Sequence, residues 1–218
     1  MGWIGTNKKF YSVLKEVTFV ANPQIGNTLK LLDGDAVILD IGAGGRRITE
    51  KTITFDSCQS INTDILGDIH GLPVKDNSID AVFCTGVLEH VASPENVLKE
   101  INRVLKDGAI VHIEVPFLQG YHLDPKDYWR WTLDGLIFIA NKYSFKEISS
   151  GVHIGPSSTV LWILDAYITI LFGYKYLGRW LSRVFRILFF YIKYLDYFVI
   201  KRKGAEHIAS GIYFVGKK

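Results

Sequence analysis

The chain has 218 residues, of which 48% are hydrophobic and 22% charged, and its formal net charge is +3. A chain of this length buries roughly 70% of its unfolded surface, and its apolar content excludes an intrinsically disordered protein. Two cysteines, Cys58 and Cys84, exclude a disulfide framework and lie in no metal-ligand spacing, so we predict a reducing, cytoplasmic location and no metal site.

The charge is distributed unevenly along the chain. Between Thr159 and Lys203, eight cations are opposed by two acids, so this segment carries +6 and the remainder −3. The same segment is the most apolar part of the sequence. We therefore predict a single domain, residues 1–218, that contains a basic, aromatic helical insertion at residues 159–203.

The apolar patterns predict alternating helices and strands. A helical lead-in is expected at residues 1–33, and one helix begins with Ser93 as cap and Pro94 in its first turn, and is stopped by Asp107-Gly108. Another is capped by Thr132. Strands are expected at residues 36–40, 52–56, 64–68, 79–84, 109–115, 145–152 and 211–215. This order predicts an α/β fold with a doubly wound, mostly parallel seven-stranded sheet, helices on both faces and the insertion before the last strand.

A glycine-rich turn follows the first predicted strand. Gly42 and Gly44 come directly after an apolar run that ends at Asp40, and glycine lets the backbone approach a ligand that a Cβ would obstruct. The dinucleotide pattern G-x-G-x-x-G needs glycine where this chain has Arg47, so a nicotinamide cofactor is disfavoured. A tight turn without a ligand is the alternative.

Three acids end successive strands, namely Asp40, Asp56 and Asp68. Ligands of doubly wound sheets bind beyond the carboxyl ends of the strands. A carboxylate at Asp56 can accept two hydrogen bonds from a ribose diol, and Asp68 can accept one from an adenine amino group. We therefore predict that these acids line a ligand site.

The segment from Val37 to Phe117 resembles class I methyltransferases that use S-adenosylmethionine, particularly the type 11-like group. The resemblance is carried by Asp40-Ile-Gly-Ala-Gly44, by the segment from Asp68 through Gly71-Leu72-Pro73 to Asp80, by Val87-Leu-Glu-His-Val91 and by Ile101-Asn-Arg-Val-Leu-Lys-Asp-Gly108. It implies a Rossmann-like fold, methyl transfer and S-adenosylmethionine as cofactor.

The resemblance also implies cofactor-binding residues. They are Gly42 and Gly44 close to the methionine part, with Asp40 and Ala43 beside them, Asp56 at the ribose, Asp68 and Ile69 beside the adenine, and Cys84 before the pocket floor. Two departures stand out: Arg46 replaces a glycine usual in the family, and the short span after Asp40 leaves room for a helix of at most a turn or two. Asp64 therefore stays an alternative ribose ligand.

The methyl acceptor site is predicted from His90 and from the loop between Pro116 and Thr132. A hydroxyl acceptor needs a nearby base, and the candidates are His90, His122 and Asp124. The loop pattern His-x-Asp-Pro-x-Asp-Tyr-Trp-Arg resembles methyltransferases associated with cell-surface glycan assembly, which implies a glycan or small-molecule acceptor bound by Asp127, Tyr128 and Arg130.

Structural roles are the alternatives for these residues. His90 can pack locally, and Asp127 can pair with Arg130 while Tyr128 and Trp129 fill the core. His112 alternates with apolar residues in a strand, so we predict that it is structural.

Within the insertion, charged residues interrupt every long apolar run, so no membrane-spanning helix is predicted. A helical projection places Lys175, Arg179, Arg183, Arg186 and Lys193 in one stripe opposite a broad apolar face, which is typical of interfacial membrane helices. We predict that residues 174–203 attach the protein peripherally to the inner face of the membrane. A homodimer interface or packing on the sheet is the alternative, and no nucleic-acid partner is expected.

The sequence thus favours a methyltransferase that acts on a sugar hydroxyl of a glycan or lipid-linked precursor. Two alternatives remain open. One is a lipid or quinone methyltransferase, which the apolar insertion allows, and the other is a non-catalytic, membrane-proximal binding protein on the same fold.

Overall fold

The computed structural model describes residues 23–218. The predicted helical lead-in falls mostly outside the described residues, and its described part contains α1, Gln24–Leu29. The described chain divides into two compact units. We call them the sheet unit, residues 23–117, 121–151 and 212–218, and the helical unit, residues 118–120 and 152–211.

Seven strands form one sheet. They are β1 Ile38–Ile41, β2 Ile53–Asp56, β3 Ile65–Leu66, β4 Ile79–Thr85, β5 Leu105–Pro116, β6 Lys146–Ile154 and β7 Gly211–Lys217. Their order is β3-β2-β1-β4-β5-β7-β6. The pairs β1–β2, β1–β4, β2–β3 and β4–β5 are parallel, which confirms the predicted doubly wound sheet.

Two helices of the sheet unit follow the predicted pattern. In α2, Pro94–Val104, the apolar residues three and four apart are buried, and α3 spans Leu133–Lys142. The side chain of Thr132 caps α3 by accepting a hydrogen bond from the Gly135 N–H at 3.1 Å.

Two local details differ from the prediction. Ser93 makes no side-chain capping bond. The chain passes from α2 directly into β5, so the predicted helix stop at Asp107-Gly108 lies inside a strand. Within the described chain, the span between β1 and β2 holds turns and no helix, which is consistent with the prediction of at most a turn or two.

The sheet core brings the ends of two strands together. Ile38, Ala81, Phe83, Ile110 and Val215 form a buried cluster, and β1 and β4 are mostly apolar, as expected of covered strands. Ile41 of β1 is in register with Cys84 of β4. The loops that follow these two strands consequently start side by side, at the edge where doubly wound sheets bind ligands.

The helical unit contains α4, Pro156–Leu171, and α5, Tyr176–Phe189, followed by a 3₁₀ helix, Phe190–Leu195, and α6, Asp196–Val199. The prediction that one helical stripe of cations continues to Lys193 is wrong at that residue. The α-helix ends at Phe189, and Lys193 is only 7% exposed. Among residues 23–218, no helix is long and apolar enough to cross a membrane.

Polar side chains hold the helical unit together from inside. Asp196 accepts hydrogen bonds from the backbone N–H groups of Ser157 and Ser158 at 2.8 and 3.0 Å, which satisfies the start of α4. Asp165 of α4 accepts a 2.6 Å hydrogen bond from Ser182 of α5, and Arg186 lies 3.7 Å away. Large apolar side chains of the same helices are exposed, among them Ile163, Tyr167, Ile170, Leu177, Trp180 and Ile187.

Candidate cofactor and acceptor site

Two glycines shape the loop after β1. Gly42 has φ +66°, and a Cβ there would lie 2.3 Å from Cγ2 of Val87, so the close packing of the two loops requires glycine. Gly44 has φ +59°, and a Cβ there would meet nothing within 4 Å. The backbone at Gly44 therefore borders open space that a ligand can enter.

Asp56 joins this loop to the end of β2. Its Oδ2 accepts a hydrogen bond from the Gly44 N–H at 2.7 Å, and its Oδ1 accepts one from the Cys58 N–H at 2.9 Å. Each carboxylate oxygen of Asp56 thus accepts one backbone hydrogen bond. Since a carboxylate oxygen has two acceptor positions, one position remains on each.

Asp64, the alternative ribose ligand, is bound within the protein. Arg47 donates to both carboxylate oxygens, at 2.7 and 2.9 Å, and the backbone N–H of Thr54 donates to Oδ2 at 2.9 Å. The Arg47 guanidinium and Thr54 hold the pKa of Asp64 well below its usual range. Arg47, which breaks the dinucleotide pattern, is therefore half of an ion pair beside β2.

Asp40 is buried beneath the glycine loop. Arg46 forms a bidentate ion pair with it, with Nη2 2.8 Å from Oδ1 and Nε 3.2 Å from Oδ2. Burial raises the pKa of Asp40, although the guanidinium opposes this. Arg46, the departure from the family's glycine, compensates a buried charge.

Asp68 and Ile69 lie on the segment after β3. Asp68 is exposed, and its Oδ1 accepts hydrogen bonds from the His70 backbone N–H at 2.9 Å and from the His70 ring, which together lower the pKa of Asp68. Ile69 is half-buried.

Arg103 of α2 holds the continuation of that segment. Its guanidinium donates to the carbonyl oxygens of Leu72 and Val74, at 2.9 and 2.8 Å, and to the carboxylates of Asp76 and Glu100. Glu100 in turn accepts the Leu72 N–H at 2.9 Å. Arg103, which belongs to the Ile101–Gly108 motif, therefore fixes the segment that begins at Asp68.

Cys84 is the last residue but one of β4. It is fully buried, and burial raises the pKa of its thiol well above the ordinary value, so the sulfur stays protonated and inert. His112, in the neighbouring strand, is buried between the Thr28 hydroxyl at 2.7 Å and the Glu114 carboxylate at 2.9 Å. This agrees with the predicted structural role of His112.

A polar cluster follows β4. Nε2 of His90 and Nε2 of His122 lie 3.8 and 3.9 Å from Oε1 of Glu89, and the two rings meet edge to face with centroids 5.0 Å apart. Burial raises the pKa of Glu89 to about 7, against the opposing effects of His90 and Arg130. We call these three side chains the Glu-His-His cluster.

Asp127 and Arg130 support this cluster. Both oxygens of Asp127 accept from the Arg130 guanidinium at 2.5 Å, and Oδ2 also accepts the His122 backbone N–H at 2.9 Å. Burial opposes the effect, but these donors hold the pKa of Asp127 below its usual value. The predicted alternative, in which Asp127 pairs with Arg130, is thus the observed one, whereas Asp124 is exposed and lies outside the Glu-His-His cluster.

Three hydrogen bonds attach the loop between Pro116 and Thr132, which we call the acceptor loop, to the segment after β4. The Tyr128 N–H donates to the Glu89 carbonyl at 2.7 Å, the Trp129 ring N–H donates to the Val91 carbonyl at 2.9 Å, and His90 Nδ1 lies 2.5 Å from the Lys126 carbonyl. Tyr128 and Trp129 are 46% and 42% exposed, so they do not fill the core.

Glu89 is not among the site residues predicted from the sequence. It belongs to the quoted Val87–Val91 motif, but a lone glutamate beside a histidine carries no chemical signal in sequence. Only the fold buries it to 2% exposure and places His122 beside it. Its Oε2 is a buried atom that the described residues leave without a hydrogen-bond partner.

Residues 39–113 match the family model of a methyltransferase domain. A demethylmenaquinone methyltransferase of Symbiobacterium thermophilum is 33% identical over 76 residues, which are 35% of this chain and 30% of that protein. The chain spans 30% of the length of the curated relatives that it matches.

Solved structures share the fold at low sequence identity. An S-adenosylmethionine-dependent methyltransferase of Thermotoga maritima superposes with a TM-score of 0.62 at 16% identity, over 96% of this chain and 95% of that one. One from Archaeoglobus fulgidus gives 0.61 at 15% identity and covers 100% of both chains. Residues 39–113 therefore resemble a methyltransferase domain, and the chain shares the fold of solved S-adenosylmethionine-dependent methyltransferases.

Proposed function

We propose that the protein is an active methyltransferase whose acceptor is a hydroxyl of a sugar or lipid-linked glycan precursor. The bound cofactor supplies a methyl group on a positively charged sulfur. The residues present suit this cofactor, because the backbone at Gly44 is open on the ligand side and Asp56 beside it retains acceptor capacity. Gly42, Ala43 and Gly44 would border its methionine part.

Asp56, rather than Asp64, is the residue we assign to the ribose. Arg47 and Thr54 occupy the oxygens of Asp64, whereas Asp56 has made one backbone bond per oxygen. Asp68, exposed at the next strand end, would meet the adenine with Ile69. Asp40 would act indirectly, since its carboxylate is committed to Arg46.

The Glu-His-His cluster carries the proposal of a hydroxyl acceptor. A hydroxyl must lose its proton as it accepts a methyl group, and a base works best with a pKa near the working pH. Glu89, with a pKa of about 7, lies beside two imidazoles. It belongs to the segment after β4, in which Val87 packs against Gly42 of the glycine-rich loop.

Exposed aromatic rings support a sugar as the acceptor. Tyr121, Tyr128 and Trp129 are exposed on the loop that also carries His122. Aromatic faces stack on the apolar faces of sugar rings, and the neighbouring polar groups can accept hydroxyl hydrogen bonds.

Methyl transfer from labelled cofactor tests this function. Glycan, lipid and small-molecule extracts would be offered in parallel, and we expect label in a base-stable ether of the glycan or lipid-linked fraction. Glu89→Gln should lower kcat by roughly a hundredfold or more while leaving S-adenosylhomocysteine binding within about threefold. Cofactor binding without transfer to any fraction would favour a non-catalytic binding protein and contradict the proposal.

A quinone acceptor is the second candidate. It is favoured by the match of 76 residues to a demethylmenaquinone methyltransferase and by the exposed apolar side chains of the helical unit. Label that appears in the quinone fraction, and not in the glycan fraction, would select it.

We further propose that the helical unit binds the surface of an anionic membrane. Its buried groups include Ser158, Asp165, Ser182 and Asp196, while leucine, isoleucine and aromatic side chains face outward. This inverts the usual arrangement of a water-soluble helical hairpin. Exposed cations, among them Lys175, Arg179 and Arg183, border the apolar surface and would attract anionic headgroups.

Vesicle flotation tests the membrane proposal. Each basic residue near an anionic surface contributes about 1 kcal/mol to the free energy of membrane binding. The double variant Arg179→Gln, Arg183→Gln should therefore lower the partition coefficient onto anionic vesicles roughly thirtyfold. Lys99→Gln, an exposed change on α2, is the matched control and should have no effect. Partition insensitive to the double change, together with a concentration-dependent dimer, would identify the surface as a homodimer interface instead.

A further inference from the structure

We propose that the Glu-His-His cluster, formed by Glu89, His90 and His122, binds a divalent metal ion of the Zn²⁺, Co²⁺ or Mn²⁺ type. One carboxylate and two imidazoles are a donor set that such ions use when positions must remain open for water or substrate. The metal proposal concerns binding alone and holds whichever acceptor the methyltransferase uses.

The separations between the ligand atoms suit one shared ion. Metal–ligand distances near 2.1 Å keep two ligands of one ion within about 4.2 Å of each other. Oε1 of Glu89 lies 3.8 Å from Nε2 of His90 and 3.9 Å from Nε2 of His122, and all three ligand atoms lie within 4.8 Å of one another. Small side-chain rotations therefore suffice to complete the site.

The outer nitrogen of His90 has the partner that metal-bound histidines have, and the outer nitrogen of His122 faces such a partner beyond hydrogen-bond distance. A carbonyl oxygen only accepts, so His90 Nδ1, 2.5 Å from the Lys126 carbonyl, is the protonated nitrogen and leaves the lone pair on Nε2. His122 directs Nδ1 toward Oδ2 of Asp127 at 3.7 Å. Carbonyl and carboxylate partners of this kind orient ligating imidazoles in metal sites.

The carboxylate is poised to bind a cation. Glu89 is buried, and its Oε2 finds no hydrogen-bond partner among the described residues. A buried, unpartnered carboxylate oxygen is costly, and an ion on Glu89 would remove that cost.

The cluster is also held in place without an ion. The backbone bond from Tyr128 to Glu89 and the Arg130 ion pair to Asp127 join the acceptor loop to the segment after β4. We therefore assign Asp127 and Arg130 as positioning residues, which act through His122. An ion bound here lowers the pKa of a water or hydroxyl that completes its coordination, and for methyl transfer this consequence rests on the proposed function.

Binding is tested on the full chain, purified without a histidine tag and stripped with a chelator. Titration with Co²⁺ should give visible absorption that saturates at one equivalent, and calorimetry should give the same stoichiometry for Zn²⁺. Mg²⁺ should bind more weakly, because imidazole donors favour the transition ions.

Variants distinguish metal binding at the Glu-His-His cluster from binding at other histidines. Glu89→Gln and His122→Ala should abolish the saturable Co²⁺ absorption, and Asp127→Asn should weaken binding roughly tenfold to a hundredfold while shifting the spectrum. His207→Ala, an exposed histidine outside the cluster, is the matched control and should bind normally. S-adenosylhomocysteine binding, measured on each variant, reports whether the fold and cofactor site are intact.

Absence of saturable binding in a chain that still binds S-adenosylhomocysteine would overturn the metal site and leave the proposed methyl transfer untouched. Saturable binding that survives both Glu89→Gln and His122→Ala would place the ion elsewhere and equally overturn it. Metal binding in a chain that fails to bind S-adenosylhomocysteine would instead contradict the proposed function alone.

Discussion

Replacement of Asp56 by asparagine tests the cofactor site most directly. The carboxylate has about four acceptor positions, of which the Gly44 and Cys58 N–H groups occupy two. The two that remain match a ribose diol. In Asp56→Asn the amide group removes the charge and one acceptor oxygen, so at least one ribose hydrogen bond is lost and another is weakened.

The expected cost follows from these bonds. A hydrogen bond to a charged group contributes about 1.5–3 kcal/mol, so we expect a loss of at least about 2 kcal/mol, or roughly thirtyfold in Kd for S-adenosylhomocysteine by calorimetry. A cofactor analogue that lacks both ribose hydroxyls isolates this effect. The wild type and Asp56→Asn should bind that analogue equally, because the lost bonds are absent in both complexes.

Asp64→Asn is the matched control, with the same change one strand away. It weakens the ion pair to Arg47 and the bond from Thr54, so a small decrease in melting temperature is expected with Kd changed less than about threefold. If Asp64→Asn weakened cofactor binding more than Asp56→Asn did, the assignment of the ribose to Asp56 would be refuted.

Three further changes probe the fold. Gly42→Ala should prevent cofactor binding and lower stability, seen by calorimetry and thermal melting, because its Cβ would lie 2.3 Å from Val87; unchanged binding would contradict the close approach of the two loops. Arg103→Ala should lower the free energy of unfolding by about 1–3 kcal/mol in urea titrations, through loss of several hydrogen bonds. Burial raises the pKa of Asp165 above its ordinary value of 3.8, so the folded state holds a proton that the unfolded state has lost. The free energy of unfolding, compared with that of Asp165→Asn, should therefore fall as pH rises past about 4. Parallel pH profiles of the two proteins would argue against this.

Local patterns in the sequence identified most of the fold. Apolar runs of four to seven residues located the buried strands, and the glycines after Asp40 located the turn that follows β1. These features depend on near neighbours in the chain, so a single sequence displays them. Boundaries were less well determined, as in β5, which starts four residues before the prediction at Leu105 because strand pairing with β4 continues there.

The partners of charged groups were decided by tertiary structure. Arg47 could be noted only as a mismatch in a glycine pattern until β2 and the loop after it placed Asp64 against its guanidinium. In the same way, Lys193 continues a helical stripe in projection, but the helix ends at Phe189 and the side chain is buried.

The sequence by itself determined the sheet, the glycine loop and the acids at the strand ends, because each follows from residue type and spacing within one segment. The Glu-His-His cluster was decided only by the tertiary structure. It joins His122 to Glu89 and His90 across some thirty residues of chain, and it buries a glutamate that looks ordinary in sequence. Burial and proximity between distant segments are properties of the packed chain, and a linear pattern does not contain them.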